Sequence, residues 1–317
     1  MNLIFKSLFM KKYFRLASLF FVGLIIVVAC KKEYQLPTAS FTAKVDGSVV
    51  TFTATVTNDS KYEWDFGDGS YISTIHAPVH TYSEFGRDFT VSLTIKGPGG
   101  QTTVTNKVTI PPKTKLQLLT GGTAAAPASR KWRVSASAPS FVIAAATANF
   151  TPVVKTYPGG ILAAVGLGAV YGDSFEFSSD GTLTIHPNGG GIFAGYVYCL
   201  AHGIPTANLP DAAGAGLAYA SPFTSPAGAT FQINEGKNFT ISTAPDGSHV
   251  ADVTYPNVMT LSFTKGGFLG ILDSTSECIV QSLTDSQMVA TLFVSTNYPT
   301  AIGVPNLVLV LYFEVAP

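Results

Sequence analysis

Two aspartates in the stretch YEWDFGDGS, residues 62–70, have the type and spacing of groups that do chemistry. Asp65 and Asp68 are three residues apart, which suits metal ligands, a catalytic pair or a structural turn. Calcium takes about six to eight oxygen ligands, and no further acidic cluster accompanies the pair. Gly67 and Gly69 can adopt positive φ, and aspartates accept hydrogen bonds from the N–H groups of such turns. The sequence therefore favours a structural turn, leaves Asp65 and Asp68 as the metal candidates, and predicts no cofactor.

Catalytic motifs are missing from the rest of the sequence. There is no G-x-S-x-G, H-x-x-H or C-x-x-C, and HPNGGG at 186–191 lacks the Lys-Ser/Thr of a phosphate-binding loop. A glycosidase needs two carboxyl groups that flank one bond, and laminarinase-type sandwiches carry them on an E-x-D-x-x-E strand that this chain lacks. Glu176 and Asp180 are four residues apart, and Asp180 falls in a predicted turn. The chain is therefore predicted not to be an enzyme. Its five histidines are scattered: His76, His80, His186, His202 and His249.

Aromatic side chains offer the remaining chemistry, which is binding. Exposed aromatic rings stack against the C–H faces of sugars, and a few polar groups fix the orientation of the ligand. Tyr196 and Tyr198 are two apart in a predicted strand, so we expect them on one face, either both in the core or both on a binding platform. Trp132 is expected in the core. The candidate ligand-binding residues are Phe193, Tyr196, Tyr198, Tyr171 and Phe268, with Phe223 beside them.

The first 29 residues have the pattern of a secretory signal. Four cations and no acid precede the apolar run Leu16–Ala29, which is shorter than the roughly 20 residues of a membrane span. The run ends in VVAC, which resembles a bacterial lipobox, in which the signal peptidase cleaves before a diacylated cysteine. The resemblance implies lipidation of Cys30, residues 30–36 as a lipidated tether, and the membrane as a partner through the lipid anchor.

Charge and cysteine content narrow the class of protein. The full chain has 19 Lys+Arg and 19 Asp+Glu, and loss of the signal would leave 15 against 19. A net charge near −4 argues against nucleic acid as a partner, because that binding requires basic patches. Cys199 and Cys278 would be the other cysteines, and a disulfide and two separate buried thiols are equally consistent with an exported chain.

Alternating apolar and polar residues with regular turn signals predict an all-β protein. Hairpin turns are expected at Asp46–Gly47, at Asp180–Gly181 and near Asp285. Residues 111–115, PPKTK, interrupt the pattern because proline cannot donate to a β-ladder, so they are interpreted as a linker.

The linker divides the mature chain into domains at 37–110 and 116–317. In the second domain, GYVYCLA is predicted as a strand, whereas ILAAVGLGAVYG fits either a short helix or a buried strand. HGIPTANLPDAAGAGLAYASPFTSPAG is predicted as a long loop. Many short strands in this domain favour a sandwich or a closed sheet.

The stretch that opened this section also resembles a family, the PKD domain, which is an immunoglobulin-like β-sandwich. The resemblance implies a spacer, adhesion or carbohydrate-associated module, with Trp64 and Phe66 in its core. The matching residues are Trp64, Asp65, Phe66, Gly67, Asp68, Gly69, His80, Tyr82, Gly86, Phe89, Val91 and Leu93.

The second domain resembles the C-terminal β-sandwich of exported lipoproteins that accompany PKD modules in Sus-like glycan-uptake loci. The phrases that carry the resemblance are LLTGG…RKWRV, DSFEFSSDGTLTI and CIVQSLTDSQMVATLF. It implies a sandwich or jelly-roll-like domain, an outer-membrane location, polysaccharide as a ligand and Sus-like transporter components as partners. The cell surface is the expected side, with the periplasmic face as the alternative. An adhesive protein that binds protein partners and a polysaccharide-active enzyme remain the other functional hypotheses.

Overall fold

The computed structural model describes residues 32–58, 61–123, 126–138, 141–146, 152–164, 166–189, 191–204, 218–243, 251–295 and 304–317. The predicted signal and Cys30 lie outside these ranges. Within them, none of the helices combines the length and the apolar composition needed to cross a bilayer. The chain separates into two compact units, with the boundary between Pro112 and Lys113.

The first unit consists of two three-stranded antiparallel sheets, in the orders β1-β2-β4 and β3-β5-β6. Its fold follows from strict alternation, since Val50, Phe52 and Ala54 on β2 are buried while the threonines between them are exposed. The β1–β2 hairpin turns at Asp46–Gly47 as predicted, with Gly47 at a φ of 60°. The strands are β1 Thr38–Asp46, β2 Val49–Thr57, β3 Lys61–Asp65, β4 Val79–Thr81, β5 Arg87–Gly97 and β6 Gly100–Ile110.

The core of the first unit is aromatic. Trp64 is fully buried between the two sheets, with its ring centroid 5.1 Å from that of Phe41 and 5.3 Å from that of Phe52. Phe66 is buried on the same side of the strand and packs against Phe52 at 5.3 Å. The prediction that Trp64 and Phe66 form the core of an immunoglobulin-like sandwich is confirmed.

The second unit is dominated by one ten-stranded antiparallel sheet, in the order β11-β10-β7-β18-β17-β16-β15-β14 with β8 and β9 added at β18. A separate two-stranded ribbon pairs β12 with β13. The all-β class is confirmed. The strands are β7 Ser129–Val134, β8 Phe141–Ala146, β9 Pro152–Tyr157, β10 Ser174–Ser178, β11 Leu183–His186, β12 Gly191–Gly195, β13 Ala218–Pro222, β14 Phe231–Thr243, β15 Ala251–Phe263, β16 Glu277–Leu283, β17 Gln287–Val294 and β18 Leu307–Val315.

The large sheet curls until its two ends meet. The N–H of Leu183 on β11 donates to Ala229 O at 2.9 Å, and the N–H of Phe231 on β14 donates to Gly181 O at the same distance. The curl encloses one apolar core that contains Trp132, which is fully buried as predicted. The unit thus closes by rolling one sheet instead of facing two sheets, and it leaves few strand edges open.

The described part of the second unit also contains three short α-helices and a 3-10 helix at Gly168–Gly172. The α-helices are α1 Lys115–Thr120, α2 Ile161–Ala164 and α3 Tyr196–Ala201. Helix α1 starts within the predicted linker because Thr114 and Gln117 form a reciprocal capping box. Its far end is fixed by Trp132, whose Nε1 donates to Leu119 O at 2.8 Å.

Several predicted elements differ in the structure. ILAAVGLGAVYG contains helix α2 and the 3-10 helix, in line with the helical one of its two interpretations. The prediction of a strand at GYVYCLA was wrong, because Tyr196–Ala201 is helix α3. Six residues are too few to display a 3.6-residue period, so the sequence alternates as a strand would. Part of the predicted long loop forms β13, and residues 205–217 lie outside the described ranges.

Candidate functional site

The aspartates of the WDFGDG turn are occupied by the turn itself. Asp65 Oδ1 accepts the N–H of Gly67 at 2.9 Å, and Asp68 Oδ1 accepts the N–H of Ser70 at 3.1 Å. Gly67 has a φ of 76°, and a Cβ at this position would lie 2.3 Å from Thr90 O. Only glycine fits there, so the sequence at this turn is dictated by the close approach of β5.

The second oxygen of Asp68 is also engaged. Asp68 Oδ2 lies 2.7 Å from His80 Nε2, and both side chains are mostly buried. His80 stacks on Phe66 with centroids 4.0 Å apart, and the hydroxyl of Tyr82 donates to Phe66 O at 3.0 Å. Burial acts to raise the pKa of Asp68, but hydrogen bonds from Ser70 and His80 outweigh it and hold the pKa below its usual value. These contacts support the structural interpretation, and the described residues contain no group of three or more metal-ligating side chains.

Two predicted ligand-binding aromatics belong to the core of the second unit. Phe193 and Phe268 are 4% and 2% exposed. The ring of Phe268 meets those of Phe175 and Phe223 edge-on, at 5.6 Å and 5.4 Å. Phe193 and Phe268 therefore stabilise the curled sheet, and neither ring is open to a ligand in this structure.

The remaining aromatic candidates are half-buried. Tyr196 and Tyr198 share helix α3, so the expectation of a common strand face was wrong, because residues two apart on a helix are separated by about 200°. Tyr198 stacks on His202 with centroids 4.0 Å apart, and burial raises its pKa. The hydroxyl of Tyr171 accepts the N–H of Leu162 at 3.1 Å. Phe223 follows β13 and is also half-buried.

Two buried acids stand near these aromatics, and the sequence analysis did not single them out. Asp173 is 2% exposed and accepts the N–H of Asn188 at 2.7 Å and the N–H of Phe193. Burial raises the pKa of Asp173 to about 7, although both hydrogen bonds act to lower it. Asp173, which directly precedes β10, therefore fastens β12 and the residues leading into it.

Asp273 is the second buried acid. Its Oδ1 accepts the N–H groups of Ser274 at 2.6 Å and Ser295 at 3.3 Å. Its Oδ2 has no hydrogen-bond partner among the described residues and rests against Gly195, where a Cβ would lie 2.0 Å away. Burial raises the pKa of Asp273 to about 6.

Both acids lie against the same strand, β12. The N–H of Leu272 donates to Phe193 O at 2.8 Å, and the N–H of Gly195 donates to Leu272 O at 3.0 Å, so β12 is held beside Asp273 at its far end. Asp173 binds β12 at its middle residue, Phe193. We call Asp173, Asp273 and β12 the acid clamp. The only sequence signal for the clamp is an isolated aspartate within an apolar stretch, and that signal does not distinguish a buried acid from one in a turn.

The cysteines next to the clamp are unreactive. Cys199 and Cys278 are both free and buried. Of the two alternatives left open by the sequence, two separate buried thiols is therefore the correct one, and a disulfide is not. Burial raises the pKa of the Cys199 thiol and raises that of Cys278 to about 12. Neither thiol is a nucleophile at neutral pH, because the thiolate is the reactive form.

Glu176 forms a polar network on the outer face of the sheet. Its carboxylate accepts a hydrogen bond from Ser129 and lies 2.8 Å from His186 Nε2. The hydrogen bond from Ser129, followed by that from His186, holds the pKa of Glu176 below its usual value despite burial. The carboxylate lies between the serine and the histidine, whereas a nucleophilic triad places the histidine in the middle.

Comparison with known proteins identifies the first unit. The fold defines the class, an immunoglobulin-like β-sandwich, and the family model of the PKD domain matches residues 35–111. The PKD1 domain of Vibrio anguillarum Epp is 32% identical, over 26% of this chain and 100% of that one, with a TM-score of 0.24. The PKD1 domain of the Vibrio cholerae metalloprotease PrtV is 30% identical, over 24% of this chain and 99% of that one, with a TM-score of 0.23. Residues 35–111 are a PKD domain, and the chain belongs to the proteins that carry one. No curated protein sequence matches the chain.

Proposed function

We propose that this protein is a lipid-anchored, non-catalytic protein of the bacterial outer membrane whose second unit binds glycan. The PKD domain serves as the spacer between the lipid anchor and the binding unit. Cys30 carries the lipid, the cell surface is the expected side, and Sus-like transporter components are the expected partners.

The spacer role is supported by what the PKD residues do. Asp65 Oδ1, both carboxylate oxygens of Asp68 and Nε2 of His80 are engaged by the turn and by each other. A side chain whose hydrogen-bonding atoms are already satisfied has little left to offer a substrate. The domain thus supplies rigidity and length.

The observation that carries glycan binding is a set of half-buried tyrosines on elements fixed to the acid clamp. Tyr196 and Tyr198 lie on α3, which begins directly after β12, and Tyr171 lies in the 3-10 helix that ends just before Asp173. Rings with one face in the core and one edge in solvent are rigid, and rigid aromatic surfaces bind sugars at low entropic cost. The clamp carboxyls are bound by backbone N–H groups, which favours a structural use of both over catalysis.

A polysaccharide panel tests the binding proposal. We expect the mature protein to be retarded in native gels that contain its glycan, and Tyr196→Ala and Tyr198→Ala to weaken the affinity at least tenfold each by isothermal titration. Tyr312→Ala is the matched control, because Tyr312 is also half-buried but lies on β18 between the inward-facing Leu311 and Phe313. Equal losses in the control, or no binding to any glycan, would refute the proposal. Release of reducing sugar from the same panel would show an enzyme instead.

Labelling and cell fractionation test the anchor and its location. We expect a fatty-acid probe to label the wild-type protein and not Cys30→Ser, and the labelled protein to be removed by protease from intact cells. Protection from protease with retained labelling would place the protein on the periplasmic face.

A further inference from the structure

The PKD domain carries an apolar surface that its fold does not use. Tyr71, Ile72, Ile75 and Val79 are 98%, 61%, 64% and 63% exposed. We call these four residues the side patch. Folded proteins leave single apolar residues in water, but a run of such side chains marks a contact surface.

The side patch is held in place by its backbone. Trp64 and Ser73 exchange two backbone hydrogen bonds, of 2.8 Å and 3.0 Å, and Trp64 Nε1 donates to Ile75 O at 3.0 Å. The N–H of Phe52 donates to Pro78 O at 3.0 Å. The segment is therefore fixed to both sheets while its apolar side chains point outward, and ordering them against a partner requires little loss of backbone entropy.

The segment that carries the side patch contains no charged side chain of its own. From Gly69 to Tyr82 the sequence contains no aspartate, glutamate, lysine or arginine. A segment that combines tyrosine with isoleucine and valine matches the interfacial zone of a bilayer, where tyrosine sits at the headgroups and aliphatic side chains reach the acyl boundary.

The tether brings this surface to the bilayer. Six residues, 31–36, separate Cys30 from Pro37 and span at most about 20 Å. Two of them, Lys31 and Lys32, favour anionic headgroups. A short tether keeps the domain close to the membrane and so raises the effective concentration of the domain there.

Ile75 of the side patch lies toward the end of the sandwich that the tether enters. The ring of His76, next to Ile75, meets that of Tyr62 at 4.9 Å. Tyr62 pairs with Ile95, which pairs with Thr102, whose hydroxyl donates to Pro37 O at 2.6 Å. Four steps of about 4.8 Å place Ile75 on the order of 20 Å from the tether, about the length that the tether itself can span.

We propose that the side patch docks on the lipid surface to which the chain is anchored, so that the PKD domain lies against the membrane instead of standing free on its tether. This rests on the lipid anchor proposed above. The distribution of exposed apolar side chains supports this docking. Of the nine large, exposed apolar side chains among the described residues, eight belong to the first unit and only Val315 to the second.

Site-directed spin labelling of the full lipidated chain tests this docking. A nitroxide is attached at Ile72→Cys and, in a second protein, at Thr105→Cys, which lies on the exposed face of β6 at the opposite edge of its sheet. Cys199 and Cys278 are buried and Cys30 is blocked by lipid, so the unsubstituted protein is the labelling control. On binding to phosphatidylethanolamine–phosphatidylglycerol vesicles, we expect the accessibility of label 72 to a water-soluble nickel chelate to fall several-fold and its oxygen accessibility to rise, with label 105 unchanged.

Three outcomes would overturn the proposal. If the protein sediments with vesicles while both labels stay equally open to nickel, the anchor stands and the docking fails. If the protein does not sediment with vesicles, the anchor itself fails and the docking fails with it. If label 72 is already protected without lipid, a protein surface covers the patch instead.

Discussion

At the scale of single residues, the PKD turn shows how the sequence signature of a family arises from contact. Asp65 Oδ1 and Asp68 Oδ1 accept N–H groups of the turn, and Asp68 Oδ2 contacts His80, twelve positions further along the chain. Position 67 requires glycine because the carbonyl of Thr90, on a neighbouring strand, approaches it closely. A conformational requirement at one residue is thus set by an element far from it in sequence.

Gly67→Ala tests this account. The new Cβ would have to occupy positive φ and would lie 2.3 Å from Thr90 O, so we expect the first unit to lose about 2–4 kcal/mol in its free energy of unfolding. Gly69→Ala is the matched control, because Gly69 has a φ of 79° but its Cβ would meet nothing within 4 Å. That control should lose only about 1–2 kcal/mol, the cost of the backbone conformation alone. Urea unfolding measures both, and equal losses would contradict the role assigned to Thr90.

At the scale of elements, the acid clamp couples β12 to the pH of the medium. Burial raises the pKa of Asp173 to about 7 and that of Asp273 to about 6, so between the usual 3.8 and these values the folded state binds more protons than the unfolded state. The contribution of both acids to stability is therefore greatest at low pH. This contribution declines as the pH rises through this window and is lost above about pH 7.

The clamp predicts a stability that falls from pH 5 to pH 8. We expect Asp273→Asn to flatten this slope and to raise the free energy of unfolding at pH 8 by on the order of 1–3 kcal/mol, since it removes a buried charge. Asp180→Asn is the control of opposite sign, because the backbone N–H of Thr182 lowers the pKa of Asp180 in its exposed turn. Urea unfolding at the two pH values measures the effect. An unchanged slope in the Asp173→Asn, Asp273→Asn double variant would disprove the clamp as its source.

At the scale of the whole molecule, the two units have separate cores. Trp64 belongs to the core of the first unit and Trp132 to that of the second, and both are fully buried. Pro111 and Pro112 stand at the boundary between the units, where few backbone hydrogen bonds can form.

Independent folding of the units is therefore expected. In the Trp132→Phe variant, tryptophan emission reports the first unit through Trp64. We expect its urea midpoint to equal that of residues 31–112 produced alone, within experimental error. A midpoint that shifts by more than the error when the second unit is removed would show that the two units stabilise each other.

Local sequence pattern was sufficient to predict one part of this protein. Alternation predicted the strands, Gly47 and Gly181 marked their hairpins, and the WDFGDG phrase defined the first domain, because turns and period-two burial are written within a few residues. Tertiary structure decided the rest. Whether GYVYCLA became a strand or a helix, whether Phe193 and Phe268 faced solvent, and whether an aspartate was buried all depended on segments distant in sequence. The curled sheet brings Leu272 beside Gly195 and Asp273 beside both, a juxtaposition that no local pattern encodes.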